Sequence, residues 1–339
     1  MDKTMKTTKA TIEQISKIIF LALAFVLFSC RTASQPDNNK TDISLLEIAR
    51  TGTYKEIKNA IAAGADVNEK SNIGLTPLMV SFLNKDNKIH KLLINSGADI
   101  NAVSDKGWTP LFYAAEIRGD EIIETIKLLV KSGAKLEYKN LSGQTPLACA
   151  AELNKNDKII ELFIKLGADI NTRNNIGITP LFYAILNNTV KTVELLIKCG
   201  ADVNVVNNDN QTPLIYTTGK KKENSDEIIK LLLNAGADVN IADAYGATPL
   251  MYAIAENFDF EIIQQLIQKG ADINKHDADG LTVLMAASIF TNNSKLILYL
   301  LERGADPNVK DADGKTAADY IMENYTLKNS DAYKKLLKK

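Results

Sequence analysis

Several residue types are scarce in this chain of 339 residues. It holds only 3 cysteines, too few for a small fold stapled by disulfides. Glycine (18) and proline (8) both fall below their average usage of roughly 7% and 5%, which excludes collagen-like and Gly/Pro-rich disordered chains. An excess of one charge is also missing, because 40 Lys and Arg stand against 41 Asp and Glu. The net charge of −1 provides no overall basic field for nucleic acid, so a partner must be recognised locally.

One long apolar run is present, at residues 18–28 (IIFLALAFVLF), after four lysines and before Ser29 and Cys30. It is shorter than the roughly 20 residues of a membrane-spanning helix, and its layout is that of a secretory signal, with an uncleaved anchor as the alternative. Leu27-Phe28-Ser29-Cys30 resembles the bacterial lipoprotein signal. The resemblance implies removal of residues 1–29 and lipidation of Cys30. We therefore expect a lipid-anchored protein of the bacterial cell envelope, periplasmic or on the outer surface, with residues 30–41 as a flexible tether.

The rest of the chain is an internal repeat. A Gly-Ala pair recurs eight times, 33 to 36 residues apart, and a threonine follows each glycine after twelve residues. In six cases that threonine opens Thr-Pro-Leu, which starts a helix because Thr caps it and Pro fits its first position. The Gly of Gly-Ala can adopt the positive φ that ends a second helix. The glycines of the Gly-Ala pairs are Gly64, Gly97, Gly133, Gly167, Gly200, Gly236, Gly270 and Gly304.

This pattern of finger turn, Thr-Pro-Leu helix, second helix and Gly-Ala-Asp-Val-Asn resembles the ankyrin repeat family. The resemblance implies an all-α solenoid of helix-turn-helix units with β-hairpin fingers over residues 42–339, about nine repeats including caps. The expected units are 42–73, 74–106, 107–142, 143–176, 177–209, 210–245, 246–279, 280–313 and 314–339. After Thr-Pro-Leu the family commonly has His. This chain has apolar residues there, so we expect apolar packing in place of a histidine network: Met79, Phe112, Ala148, Phe182, Ile215 and Met251.

Motifs that would support catalysis or metal binding are weak. His90 and His276 have no Cys or His neighbours at metal-ligand spacing, and no Ser, Cys or carboxylate pair stands in a catalytic motif. We predict no metal, no cofactor and no enzymatic activity. Cys149 and Cys199 are predicted as small buried apolar residues, with a disulfide as the alternative, and residues 220–222 (KKK) as a solvated face.

Partners of ankyrin proteins usually meet the fingertips and the exposed side of the inner helix. Matched by phase, this resemblance implies partner contacts at Ile73, Leu75, Asp105, Lys106, Trp108, Glu116, Ile117, Ile178, Asp243, Tyr245, Glu256, His276, Ile289 and Phe290. Trp108 and Tyr245 are the best candidates because aromatic anchors dominate binding hot spots. For each residue, packing over the neighbouring finger is the alternative. Four tyrosines in the Thr-Pro-Leu helices are predicted to pack: Tyr113, Tyr183, Tyr216 and Tyr252.

Together these features predict a non-enzymatic, monomeric scaffold on the cell envelope that binds a protein partner of unknown identity and no nucleic acid. An inhibitor or immunity protein for one envelope enzyme or toxin is the alternative. A third hypothesis is an envelope hydrolase with residues scattered over the same surface.

Overall fold

The computed structural model describes residues 44–187 and 189–337. The predicted signal sequence, the predicted lipidation site Cys30 and the whole predicted tether therefore lie outside the described residues. Ser44–Lys339 is a compact unit of its own, and its described part contains 18 α-helices arranged as nine successive pairs. The longest of these helices has 10 residues, and no helix of the described residues has the length and apolar character needed to cross a membrane.

Each pair consists of an inner helix followed by an outer helix. The inner helices are α1 (Leu45–Thr51), α3 (Pro77–Ser81), α5 (Pro110–Glu116), α7 (Pro146–Leu153), α9 (Pro180–Leu186), α11 (Pro213–Thr218), α13 (Pro249–Ala255), α15 (Val283–Phe290) and α17 (Ala317–Glu323). The outer helices are α2 (Tyr54–Ala62), α4 (Lys88–Asn95), α6 (Ile123–Lys131), α8 (Asp157–Lys165), α10 (Val190–Lys198), α12 (Ser225–Asn234), α14 (Phe260–Gln268), α16 (Ser294–Glu302) and α18 (Asp331–Leu336). Inner helices pack on the next inner helix, and outer on outer, as in a solenoid.

The helix ends follow from the repeated motif. At the start of α11, Thr212 Oγ1 accepts a hydrogen bond from Ile215 N at 3.1 Å, and Pro213 occupies the first helical position. At the end of α4, Gly97 has φ +89°, and the next amide, Ala98 N, donates back to Leu93 O at 3.1 Å. This is the Schellman arrangement that a glycine permits at no steric cost. The predicted helix boundaries are thus explained by local chemistry.

The fingers are turns rather than β-ladders in the described residues. Their only β-bridge joins His276 and Thr282. In that finger, Asp277 Oδ1 accepts hydrogen bonds from Asp279 N (3.0 Å) and Leu281 N (2.9 Å). A side chain that accepts from its own loop replaces the ladder that a longer hairpin would form. The predicted all-α solenoid is confirmed, with hairpin turns in place of β-strands.

One apolar core runs through the repeats, from Leu45 to Leu336. Phe112, Phe163 and Phe182 are among its largest fully buried side chains. The six residues that follow Thr-Pro-Leu are all buried, so apolar packing takes the place of a histidine network, as predicted. The ring of Phe182, for example, meets Tyr216 of the next repeat edge-on at 5.7 Å.

The Asn that closes Gly-Ala-Asp-Val-Asn ties each repeat to the next. Asn240 Nδ2 donates to Gly270 O at 2.8 Å, and its Oδ1 accepts from Asp272 N at 2.8 Å. Equivalent pairs of bonds are made by Asn68, Asn101, Asn171, Asn204 and Asn274. Where the motif ends in Glu137, its carboxylate still accepts from Asp169 N at 2.9 Å. These bonds fix the register between neighbouring fingers.

Candidate partner-binding face

The surface that the sequence singles out consists of two parallel rows. The fingertips are the two residues that precede the glycine, or Asn210, of each finger, and the second row is the inner helices. We call both together the recognition face. Backbone hydrogen bonds join neighbouring tips, as from Asp105 N to Ile73 O (3.1 Å), Asn208 N to Ile176 O (3.1 Å) and Ala278 N to Tyr245 O (2.8 Å). The tips therefore stand at fixed positions relative to one another.

Tyr245 is an exposed aromatic side chain on a constrained backbone. Its side chain and backbone together are 55% exposed. Its amide donates to Asp243 Oδ1 at 2.9 Å, and its carbonyl accepts from the next finger. The backbone at this exposed ring is thus already fixed, so little backbone entropy would be lost on contact with a partner.

Trp108 is only half-buried but is already in contact with its own repeat. Its ring stacks on Phe112 with centroids 5.6 Å apart and meets Tyr113 edge-on at 5.3 Å. The ring therefore packs within its own repeat and leaves part of its surface open, and a partner contact at Trp108 stays a prediction. The adjacent tip residues Asp105 and Lys106 are exposed, while Glu116 and Ile117, at the end of α5, are half-buried.

Three of the predicted contact residues, Leu75, Ile178 and Asp243, are buried. Their expected exposure is wrong. Asp243 explains why: its carboxylate accepts from Tyr245 N and Ala247 N, each at 2.9 Å, and from Tyr252 Oη at 2.6 Å. It closes the finger turn and has little surface to offer a partner. Leu75 and Ile178 follow the finger glycine, where the chain turns back toward the inner helix.

The remaining candidates differ in exposure. Ile289 and His276 are exposed, whereas Ile73, Glu256 and Phe290 are half-buried. The His276 ring is held at its own finger, with Nδ1 2.9 Å from Asp277 O. Ile73 is a fingertip residue, and Ile289 and Phe290 belong to inner helix α15, whereas Glu256 directly follows α13 and His276 lies on the arm of its finger.

Sequence reasoning missed two prominent tip residues. Leu141 is 73% exposed and Ile176 is 52% exposed. Ile176 stands directly before a finger glycine, as Tyr245 does, and Leu141 stands one residue further back, as Asp105 does. That phase could have identified both. The apolar residue after the glycine was chosen instead, and it points into the protein.

Tyrosines of the inner helices pack, as predicted, and also bond to the finger nine residues earlier. Tyr252 Oη donates to Asp243, and Asn174 Nδ2 donates to Tyr183 Oη at 2.9 Å. Burial raises the pKa of Tyr216 to about 12, so it stays a neutral phenol. The tyrosines stabilise the finger rather than supply a reactive group. Cys149 occupies the equivalent position in α7.

The ends of α5 and α7 carry two half-buried carboxylates. Burial raises the pKa of Glu116 to about 7, with the nearby charge of Lys106 opposing this rise and that of Glu152 reinforcing it. Burial also raises the pKa of Glu152, whose carboxylate accepts from Gln144 Nε2 at 2.6 Å. Buried Cys149 lies near both, and burial raises the pKa of its thiol. Such carboxylates favour a cationic neighbour, which would replace the water that they have lost.

The two cysteines of the solenoid are both free thiols. Cys149 is buried as predicted, but Cys199 is exposed, so that part of the prediction is wrong. Cys199 caps the end of α10, and the turn that begins there faces solvent. Within the described residues, no group of three or more His, Cys, Asp and Glu side chains could hold a metal ion.

Residues 220–222 are more than a solvated face. Lys222 Nζ donates to Leu186 O at 2.6 Å, a carbonyl at the end of α9. Lys221 Nζ reaches the other way, to Asn257 O (2.9 Å) and Asp259 Oδ1 (3.2 Å). The inserted turn thus links the repeats on either side of it, because a cationic donor can satisfy the open carbonyls at a helix end.

The fold defines a solenoid built from helix-turn-helix repeats. A family model described as ankyrin repeats (3 copies) matches overlapping segments at residues 45–140, 98–174, 119–207, 147–243, 181–277, 220–311 and 254–339. The chain belongs to the ankyrin repeat family, whose members are typically non-enzymatic binding scaffolds. The repeats imply interaction with a protein partner.

A curated relative is the mitochondrial disaggregase of Homo sapiens, 37% identical over 73 residues. The match spans 22% of this chain and only 10% of that protein. It is therefore a likeness between short segments.

Proposed function

We propose that this protein is a non-enzymatic scaffold that binds one protein partner through its fingertips and inner helices. The observation that carries the proposal is the row of exposed apolar tips at Leu141, Ile176 and Tyr245, on a backbone that hydrogen bonds hold in register. Exposed apolar side chains on neighbouring elements mark interaction sites. Since the surface is preformed, little ordering entropy opposes association.

We further propose that the scaffold acts as a monomer tethered to the bacterial cell envelope by a lipid on Cys30. Support comes from the apolar run at residues 18–28 and the lipoprotein-like Leu27-Phe28-Ser29-Cys30. A single acyl chain binds membranes only marginally, so stable anchoring requires more than one chain. The polar residues 31–41 would then keep the solenoid clear of the lipid surface.

The binding site is tested by cross-linking and pull-down from envelope fractions. The double variant Trp108→Ala, Tyr245→Ala should recover at least about tenfold less partner, the effect of about 1.4 kcal/mol that hot-spot aromatics exceed. Tyr54→Ala removes an exposed aromatic residue of outer helix α2 and is the matched control, which should recover the same amount as the unaltered protein. If the double variant recovers the full amount, the assignment of the face is refuted.

The anchor has a separate test. Metabolic labelling with a fatty-acid analogue should be abolished by Cys30→Ala and retained by Cys199→Ala, which removes an exposed free thiol of the solenoid. Unchanged labelling of Cys30→Ala would refute lipidation at this residue.

A further inference from the structure

The apolar part of the recognition face lies at its centre. Leu141 and Ile176 stand on consecutive fingers, and Tyr245 stands two fingers further along the row. Single exposed apolar residues are ordinary on a protein surface. Three such residues on one row of hydrogen-bonded fingertips expose apolar area to water, which costs free energy. A partner with apolar side chains would remove that area from water.

The charged part of the same face is mainly acidic. Four fingertips carry an exposed aspartate, namely Asp105, Asp209, Asp279 and Asp313, and Lys106 is the one base among the tips. None of these aspartates forms an ion pair within residues 44–187 and 189–337. The carboxylates therefore remain available on both sides of the apolar tips and, at Asp209, between Ile176 and Tyr245.

The inner helices repeat this imbalance. The eight inner helices from α3 to α17 contain no Lys or Arg, whereas Glu116 and Glu152 lie at the ends of α5 and α7. Burial raises the pKa of both carboxyls, so a cation placed between these helices would stabilise their charged forms.

Most of the basic residues that balance the chain lie elsewhere or point away, apart from Lys106 and from Lys220, whose Nζ lies over the Tyr216 ring of α11 at 5.0 Å. The outer helices α4, α6 and α10 each carry more Lys than acidic residues. On the finger arms, Lys139 Nζ donates to Arg173 O at 2.9 Å, and Arg173 donates through a guanidinium nitrogen to Val206 O at 2.7 Å. Both cationic groups are thus drawn back onto the next repeat. A net charge near zero for the whole chain hides an acidic and apolar face.

We infer that the partner binds this face with a cationic protein segment in which Lys or Arg residues flank apolar side chains. The inference rests on the proposed function and adds the chemistry of the partner. Apolar contact at Leu141, Ile176 and Tyr245 supplies affinity, and the flanking carboxylates attract the segment and set its register. The same charges repel acidic segments that carry identical apolar residues.

Three synthetic peptides of equal length test this against the full chain by fluorescence anisotropy. The first carries Lys around fixed Leu and Phe positions, the second has Glu for every Lys, and the third keeps Lys but has Ser for every Leu and Phe. The first peptide should bind at least about tenfold more tightly than either of the others. Its binding should also weaken as salt rises from 50 to 300 mM, roughly a range over which the Debye length shortens by more than half.

Two variants and a matched control locate the binding. The triple variant Asp105→Asn, Asp209→Asn, Asp279→Asn should bind the first peptide at least about fivefold more weakly, since each lost charge removes a few tenths of a kcal/mol at an exposed site. Leu141→Ser, Ile176→Ser, Tyr245→Ser should weaken it further. Glu124→Gln, Glu227→Gln, Glu302→Gln removes three exposed carboxylates of outer helices and should change nothing.

Three outcomes would overturn the inference. The Glu peptide could bind as tightly as the Lys peptide or more tightly, the outer-helix control could lose as much affinity as the two face variants, or the unaltered protein could show no measurable binding of the first peptide. The proposed function fails by a different result, namely full recovery of the native partner by Trp108→Ala, Tyr245→Ala. A third result separates the two proposals. If recovery of the partner depends on the face but the Glu peptide competes with that partner, the proposed function is retained and the inferred cationic character of the partner is refuted.

Discussion

Single residues in this chain are placed by backbone geometry and by burial. The eight glycines of the Gly-Ala pairs have φ between +87° and +97°, where L side chains are strained. Asn210 replaces a finger glycine and adopts φ +58°, which Asn tolerates better than most residues. Asn240 and Glu116 show two ways in which a polar side chain is accommodated. The Asn240 amide has hydrogen-bond partners in the next repeat, whereas burial of the Glu116 carboxyl raises its pKa.

Stability should depend on the protonation of Glu116. Burial raises its pKa in the folded protein to about 7, above the ordinary value of a Glu carboxyl. The contribution of the neutral carboxyl to the free energy of unfolding is therefore fully present below about pH 4.5 and is lost as pH rises through 7. Glu116→Gln should therefore raise the urea midpoint at pH 8 and have a much smaller effect at pH 5. Glu124→Gln, an exposed control, should show the same small difference at both pH values. A Glu116→Gln effect that does not depend on pH would contradict this.

Loss of an inter-repeat amide should destabilise the solenoid. Asn240→Ala removes one donor and one acceptor, each in a bond of 2.8 Å, and should lower the free energy of unfolding by about 1–3 kcal/mol. Asn292→Ala, an exposed residue of the turn after α15, should change it by less than about 0.5 kcal/mol. Urea denaturation followed by circular dichroism measures both. Equal effects of the two variants would show that the Asn ladder contributes nothing.

At the scale of elements, the inner helix is the constant part of each repeat. Thr and Pro set its first turn, its first residues are buried, and variation in length is confined to the turn before the outer helix, as at residues 219–224. The Thr caps are not all alike. Thr212 Oγ1 accepts from the helix, whereas the buried Thr179 Oγ1 has no hydrogen-bond partner.

This difference predicts unequal effects of the same substitution. Thr212→Ala should cost about 0.5–2 kcal/mol because it removes a cap hydrogen bond of 3.1 Å. Thr179→Ala should cost much less or even stabilise, since it removes a buried hydroxyl that lacks a partner. Both threonines are buried and precede Pro-Leu, so the loss of the methyl group cancels in the comparison of thermal or urea midpoints. A larger cost at Thr179 would refute the assignment of the caps.

At the scale of the whole molecule, each described repeat contacts mainly its neighbours, so stability is transmitted from repeat to repeat. Charge is distributed at the same scale: bases are scarce on the fingertips and absent from the inner helices α3 to α17, while several outer helices carry more Lys than acidic residues. Neither property can be read from a single unit, because both depend on the order in which unequal repeats are stacked.

A cavity in a central repeat should therefore weaken the stabilising contacts between the repeats on its N-terminal side and those on its C-terminal side. Phe182→Ala removes a fully buried ring of α9 and should cost about 3–5 kcal/mol. Hydrogen exchange should then accelerate in repeats on both sides of α9. Leu336→Ala, in the last helix, should accelerate exchange only near the C-terminal end. Uniform acceleration along the chain by either variant would show a single cooperative unit instead.

The sequence by itself determined the number of repeats, the pairing of helices and most helix ends. These depend on local chemistry, namely a capping Thr, a Pro at the first turn and a Gly with positive φ, and that chemistry recurs at a constant phase. The family followed from the same pattern.

Only the tertiary structure decided which finger residues are exposed. Leu75, Ile178 and Asp243 turn inward, while Leu141 and Ile176 point outward, although all five lie in finger segments of similar composition. Their exposure depends on the fingers stacked on either side, and these come from segments more than 30 residues away in the chain. The raised pKa of Glu116 has the same origin, because a carboxyl is desolvated by the elements packed around it and not by its neighbours in sequence.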